Sequence, residues 1–300
     1  MTIVKRLKNA FSKKSNNTYP SMNGITFIHH NPGRGNIGDF LCSPRHYFTF
    51  DNPIPGLHIV GGGVFVGLAV EKLKRNRIPL DRSILWGAGQ SLRNLEQAPE
   101  PVKQLPYLDW AIRDKDLVIS SQRFVPCCSC LHKMLDTPLE NKRTLLFLNA
   151  DPKVTASKTI DTCKTIAADK NWSVIFNNCS EEEFKKALSH TDHIITNSYH
   201  GCYWGLLSGR KVTLMGYSSK FINLLDNFNL PANKLIKIGR GETKSLIVTL
   251  QEICDDSNAV QLDHAENYLH KFRAINTAFA NRLIKCGAFS GYTLTSKASQ

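Results

Sequence analysis

The segment from Ile194 to Val212 limits the fold more than any other part of the chain. Residues 193–196 form an apolar run that predicts a buried strand. A polar turn follows, Asn197-Ser198-Tyr199-His200, then a short helix closed by Gly209 and a second strand over 211–215. Asn197, Ser198, Tyr199 and His200 therefore stand where the carboxyl end of a strand meets the amino end of a helix. In open α/β sheets ligands collect at that place. Free N–H groups and the helix dipole there favour an anion. His200, in the first turn with Gly201 beside it, is placed to exchange a proton with a bound phosphate ester.

Apolar runs continue to alternate with helical patterns along the rest of the chain. Strands are expected at 25–29, 57–60, 84–86 and 110–113, then at 144–149, 172–177, 193–196, 212–215 and 235–238. Helices are expected at 157–169, 181–189, 220–227 and 264–285, the last ended by Gly287 and a Ser/Thr-rich tail. Ser180 before Glu181, Glu182 and Glu183 is a capping box. The alternation gives an α/β fold with mostly parallel sheets and two similar halves facing across a cleft. A break rich in Pro, Asn, Glu and Lys at 137–143 separates them. The divisions are 1–23, a basic tail and linker; 24–140 and 141–262, two α/β units; and 263–300, a terminal helix and tail.

Charge and cysteine content narrow the function. With 300 residues and a net charge of +13, the chain suits anionic partners. The Lys and Arg residues are dispersed and no nucleic-acid-binding signature is present, so nucleic acid is not expected. The nine cysteines have no framework of spacings and suit reduced thiols in a cytoplasm. No apolar run approaches the roughly 20 residues of a membrane span, and Lys5, Arg6, Lys8, Lys13 and Lys14 interrupt any secretory core. Ile3, Val4, Leu7 and Phe11 share one helical face. Residues 3–14 then read either as a segment lying on an anionic membrane or as a solvated basic tail.

Loops at the carboxyl ends of the first strands carry the next candidates: Asn36-Ile37-Gly38-Asp39, Gly61-Gly62-Gly63, Gly87-Ala88-Gly89 and Arg113-Asp114. The glycines let backbone approach a ligand or simply make tight turns. Neither a dinucleotide fingerprint nor a phosphate-binding P-loop is present. Arg113 offers a planar fork for phosphate or carboxylate, with a strand-end salt bridge as the plainer reading. Val125-Pro126-Cys127-Cys128-Ser129-Cys130-Leu131-His132 reads as a buried loop of small residues rather than zinc, because donors so close in sequence cannot wrap one tetrahedral ion. His29, His30 and His46 have no metal spacing and are left as cleft lining. No metal is expected.

In their order, Asn36-Ile37-Gly38-Asp39, Gly61-Gly62-Gly63, Trp86-Gly87-Ala88-Gly89, Arg113-Asp114, Val125-Pro126-Cys127-Cys128-Ser129-Cys130, Ser198-Tyr199-His200-Gly201, Gly209-Arg210-Lys211-Val212 and Ser219-Lys220 resemble the polysaccharide pyruvyl transferase family. The resemblance implies two facing Rossmann-type domains of the glycosyltransferase B kind, needing no metal or cofactor, with phosphoenolpyruvate as donor. A pyruvyl group would pass to a sugar as a ketal, on a cell-surface polysaccharide or its lipid-linked precursor. It implies a catalytic arginine at Arg113 and a catalytic histidine at His200. Substrate contacts are assigned to Asn36, Asp39, Gly61, Gly62, Gly63, Gly87, Gly89, Asn197, Ser198, Tyr199 and Lys220. Many members carry Ser-Arg-x-His at the late motif; Asn197-Ser198-Tyr199-His200 lacks that arginine, leaving Arg210, Lys211 or Lys220 as the substituting cation. A nucleotide-sugar glycosyltransferase and a non-catalytic binding member are the alternatives. A lipid-linked acceptor would place the chain at the cytoplasmic face of the membrane, on its basic tail.

Overall fold

The computed structural model describes residues 19–29, 35–61, 63, 66–253 and 258–298. The basic segment 3–14, His30 and Gly62 lie outside them. In chain order the first half holds β1 (Ser21–Met22), β2 (Ile25–Ile28), α1 (Ile37–Leu41), β3 (Phe48–Asp51), β4 (His58–Val60), α2 (Val66–Arg75), β5 (Ser83–Ala88) and β6 (Asp109–Ile112). The second holds β7 (Thr144–Leu148), α3 (Ile160–Asp169), β8 (Ser173–Phe176), α4 (Glu181–Ser189), β9 (His193–Thr196), α5 (Tyr199–Leu207), β10 (Lys211–Gly216), α6 (Lys220–Asn227), β11 (Ile236–Lys237) and α7 (Thr243–Glu252). Helix α8 (Ala265–Lys285) and β12 (Gly291–Leu294) close the chain.

Two five-stranded sheets result. The first has the order β1-β2-β4-β5-β6, parallel except at β1. The second, wholly parallel, has the order β11-β10-β9-β7-β8. Strand order in the second sheet reverses between β7 and β9, so the loops after those strands diverge and leave a crevice at their carboxyl ends. Asn149 and Asn197 lie on those two loops.

Burial explains why these strands form. On β5, Ile84 and Trp86 enter the main core while Leu85 and Ala88 join a smaller one with Ala69 and Leu73 of α2. A parallel strand covered on both faces must be apolar at successive positions, which is how 84–86 reads. Helix α4 starts on the expected capping box: Ser180 N donates to Glu183 Oε2 at 2.7 Å and Glu183 N to Ser180 Oγ at 3.2 Å. Gly209 and Gly287 end their helices with φ of +77°.

The carboxyl terminus departs from the sequence reading. The Ser/Thr-rich stretch after Gly287 includes β12, which pairs antiparallel with β3. Its register sets Tyr292 opposite Phe50 and Leu294 opposite Phe48. Alternating polar threonines conceal the strand in sequence, and its partner lies far away in the chain. Asn36-Ile37-Gly38-Asp39, expected as a loop, is the capped start of α1, with Asn36 Oδ1 accepting from Gly38 N at 3.0 Å.

Helix α8 lies across both halves. Its Phe272 packs against Phe124 of the first half and Tyr203 and Phe228 of the second. Fully buried Asn276 accepts from Trp86 Nε1 at 2.9 Å and donates to Pro126 O at 3.2 Å. Replacing it strands a buried N–H and a buried carbonyl. Asn276→Leu is expected to lower unfolding free energy by about 2–4 kcal/mol, read as a shift in urea midpoint with an unchanged slope.

Candidate active site

A cleft of about 650 Å³ opens where the carboxyl edges of the two sheets approach. Asn36, Asp39, Gly63 and Arg93 line it from the first half. Asn149, Asp151, Tyr217, Lys220 and Arg240 line it from the second. Of the residues expected to contact substrate, Asn36, Asp39, Gly63 and Lys220 are on this wall.

Tyr217, on the second-half wall, has two cations beside it. Lys220 Nζ donates to Tyr217 Oη at 3.2 Å and sits 4.9 Å above that ring, and the Arg240 guanidinium is 5.8 Å from the same ring. The sequence reading missed Arg93 and Arg240. Both follow a strand's carboxyl end by a few residues, β5 for Arg93 and β11 for Arg240, and that position was the available signal. Arg210 is engaged elsewhere: it donates to the carbonyls of Thr191, Leu188, Thr137 and Ser208, tying together the loops around α4 and α5.

Neither Arg113 nor His200 lines this cleft; both are buried, 3% and 4% exposed, in one cluster. Arg113 directly follows β6 of the first sheet, and His200 lies in the first turn of α5 in the second half. Tyr199 stands between them. The Arg113 guanidinium carbon is 4.0 Å from the Tyr199 ring centre, and the Tyr199 and His200 ring centres are 5.3 Å apart. Trp204, one turn along α5, lies 5.1 Å from the His200 ring. Arg113 Nε and Tyr199 Oη are buried without a hydrogen-bond partner. Burial opposes the Arg113 charge, but Tyr199 and Asp114 beside it raise its proton affinity above the usual range.

Other expected contacts turn out to shape this cluster. Asn197 Oδ1 accepts from Asn149 N at 2.8 Å and its Nδ2 donates to Thr155 Oγ1 at 3.1 Å, locking the two crevice loops together. Ser198 caps α5 through Gly201 N. A side chain at Gly201 would meet Phe147 and Thr196, so that glycine lets α5 pack on β7 and is not what makes room for His200. Room for the imidazole comes from Gly38 of α1, where any Cβ would overlap His200 Nδ1. Gly89 does the same for Arg113, since a Cβ there would fall 2.5 Å from Nε. Gly63 (φ +73°) leaves space for the Asp39 carboxylate. Gly61 faces the Trp86 carbonyl and Gly87 (φ +64°) the carbonyls of Val125 and Pro126, where both serve packing. His46, kept as cleft lining on sequence grounds, lies tilted against Phe40 with ring centres 4.4 Å apart; burial first, then Arg45, pushes its pKa down to about 3, so it is neutral.

The stretch 127–131 is a buried turn, as its small residues suggested. Cys127 also has a specific neighbour: its Sγ is 3.5 Å from His200 Nε2. Cys42, at the carboxyl end of α1, completes a trio whose donor atoms lie within 4.8 Å of one another. A soft divalent ion would use these atoms, although the trio lacks the fourth protein ligand of a closed structural site.

With that geometry in place, comparison with known proteins is decisive for one stretch of the chain. Residues 99–219 match the family model of polysaccharide pyruvyl transferase. That stretch holds Arg113, Cys127, Tyr199 and His200, the whole buried cluster apart from Cys42. No curated protein and no solved structure matches the chain.

Asp114 gives the cluster a pH signature. Its Oδ2 accepts from Gln90 N at 2.5 Å, with the Asn223 side chain alongside the carboxyl. Burial pushes its pKa from 3.8 up to about 6, against the pull of Arg113 and the Gln90 N–H. The folded protein therefore binds a proton that the unfolded chain has released, and this contribution to stability falls as pH rises from about 4 to about 6. Asp114→Asn is expected to gain on the wild type across that window, by on the order of 3 kcal/mol, in urea unfolding at fixed pH values.

Proposed function

We propose that the chain transfers a pyruvyl group from phosphoenolpyruvate to a sugar of a cell-surface polysaccharide or its lipid-linked precursor, forming a pyruvate ketal. The carrying observation is that the family-matched segment folds so that Arg113 and His200 meet at Tyr199. Two α/β units, 24–140 and 141–262, would face each other in a glycosyltransferase B-like arrangement, with the cleft between them as the substrate site. No metal or organic cofactor takes part in this reading.

The residue chemistry suits the donor. Phosphoenolpyruvate carries a carboxylate and a phosphate, which require cations at two places. Arg113, with its buried Nε unpartnered, is assigned one anionic group, and the cleft-lining cations Arg93, Lys220 and Arg240 the other. Lys220 thereby stands in for the absent late-motif arginine. His200 protonates the methylene carbon, which becomes the methyl group and leaves an oxocarbenium-like centre at C2. One sugar hydroxyl adds to C2, the C2–O bond to phosphate breaks, and a second hydroxyl closes the ketal. Of the two hydroxyl protons, one reloads His200 and one leaves on phosphate. Asn36 and Asp39, which line the cleft from the first half, are assigned to the acceptor.

No described helix is long and apolar enough to cross a membrane. Residues 1–23 are proposed to rest the protein on the anionic cytoplasmic leaflet, where a lipid-linked acceptor would be met. Removing residues 1–15 is then expected to abolish co-sedimentation with anionic vesicles; undiminished binding would remove the idea.

Donor choice is read by thermal shift. Stabilisation by phosphoenolpyruvate is expected, and stabilisation by a nucleoside diphosphate alone would favour a glycosyltransferase. His200→Ala is expected to lower kcat by about 10²–10⁴-fold, and Arg113→Lys to raise the KM for phosphoenolpyruvate by about 10-fold or more. Wild-type turnover in His200→Ala would end the proton-transfer assignment.

A further inference from the structure

The turn from β10 into α6 holds Tyr217, Ser218 and Ser219, and Lys220 opens the helix. It joins the carboxyl end of a parallel strand to a helix amino end, where first-turn N–H groups lack intrahelical acceptors. A serine at the N-cap ordinarily accepts from one of those groups. Ser219 does not. Its Oγ accepts instead from Leu92 N of the first half at 2.8 Å, and its own N–H donates to Leu92 O at 3.0 Å. The amino end of α6 is thus left without a side-chain cap, and the two halves are clasped at that point.

The clasp decides what stands beside this helix end. Arg93 follows Leu92 and Lys220 follows Ser219, and both line the cleft. Arg240 lines it next to Tyr217. None of these three cations has an ion-pair partner among the described residues. Ser218 lines the cleft too; it is 5% exposed and its hydroxyl has no hydrogen-bond partner. A buried hydroxyl left so is costly until a ligand completes it. Of the two acids lining the cleft, Asp151 accepts from Lys153 N at 3.0 Å and Asp39 stands against Gly63.

We infer that the amino end of α6 is a phosphoryl subsite shared by the two halves: Ser218 Oγ, the uncapped N–H groups and Lys220 hold the group from one half, and Arg93 from the other. A tetrahedral dianion suits these donors better than a carboxylate does. Its three terminal oxygens can meet a hydroxyl, backbone N–H groups and more than one cation together, whereas a carboxylate presents two oxygens along one edge. Ser219 is the positioning residue: its polar groups are committed to Leu92, and that bond sets Arg93 beside the helix end. Resting on the pyruvyl-transfer reading, the subsite gives the donor's phosphate to the cleft cations and its carboxylate to Arg113. The binding of phosphate itself does not need that reading.

Calorimetric titration of the full chain with inorganic phosphate, pyruvate and phosphoenolpyruvate tests the subsite. Phosphate is expected to bind and to compete with phosphoenolpyruvate, while pyruvate, which has the carboxylate alone, is expected not to displace it. Ser218→Ala and Lys220→Met are each expected to weaken phosphate by about 10–100-fold, the range for one hydrogen bond to a charged group. Ser219→Ala is expected to weaken it by about 10-fold in the native background and by nothing further in Arg93→Ala, with Ser219→Thr restoring most of the loss. No phosphate binding, displacement of phosphate by pyruvate, or full affinity in Ser218→Ala and Lys220→Met would overturn the subsite. Equal losses from Ser219→Ala in both backgrounds would overturn the clasp. Phosphate held by these residues in a protein that transfers no pyruvate would end the transfer reading and leave the subsite standing; turnover with phosphate affinity unmoved by the variants would do the reverse. Should Ser219→Ala not fold, the Ser218→Ala and Arg93→Ala titrations decide.

Discussion

A guanidinium held over a tyrosine ring inside the protein is the contact on which the rest of the structure depends. Moving a cation from water into a protein interior is expensive, and it persists there only with strong compensation. Arg113 receives part of that compensation from the Tyr199 face 4.0 Å away, an interaction worth about 2 kcal/mol or more once desolvated. The neighbouring Asp114 carboxyl supplies more. Arg113 belongs to the first sheet and Tyr199 to the second half, so the contact ties the halves together at the level of the cleft. It is reinforced alongside, where Asn227 Nδ2 donates to Arg113 O at 2.7 Å and Lys115 N to Asn227 Oδ1 at 3.0 Å.

The cluster is buried, and the cleft beside it is open to solvent. Cleft-lining cations are partly solvated, whereas the side chains of the cluster are buried. Low polarity strengthens every electrostatic interaction there. Two glycines make this closeness feasible, because a single methyl at Gly38 or Gly89 would collide with His200 or Arg113. Of the glycines assigned to substrate, Gly89 also admits the Arg113 side chain and Gly63 the Asp39 carboxylate.

How much of this is legible in the chain itself depends on the range of the interactions. Strands such as β5, β7 and β9 are buried on both faces, so their sequences are continuous apolar runs and stand out. The start of α4 is legible because a capping box is a local hydrogen-bond circuit. By contrast, β3 and β12 pair only through the tertiary fold, and α1 is too short to show a period. The positions of Arg113 and His200 followed from strand and helix ends, and the structure brings both to Tyr199. Cys42 was not legible as a partner of His200, because its sulfur arrives at the end of a five-residue helix packed from the other half. Arg93 and Arg240 were missed because loops after strands hold many cations and only the fold selects those that face the cleft.

The central claim is that this cluster delivers a proton to carbon. Carried out in deuterated water with phosphoenolpyruvate and the sugar acceptor, the reaction reports on that proton directly. The account predicts that each inorganic phosphate released accompanies one ketal whose methyl group carries a single deuterium from solvent. A glycan that gains a hexose rather than a pyruvyl group, or a ketal methyl without solvent deuterium, would contradict it.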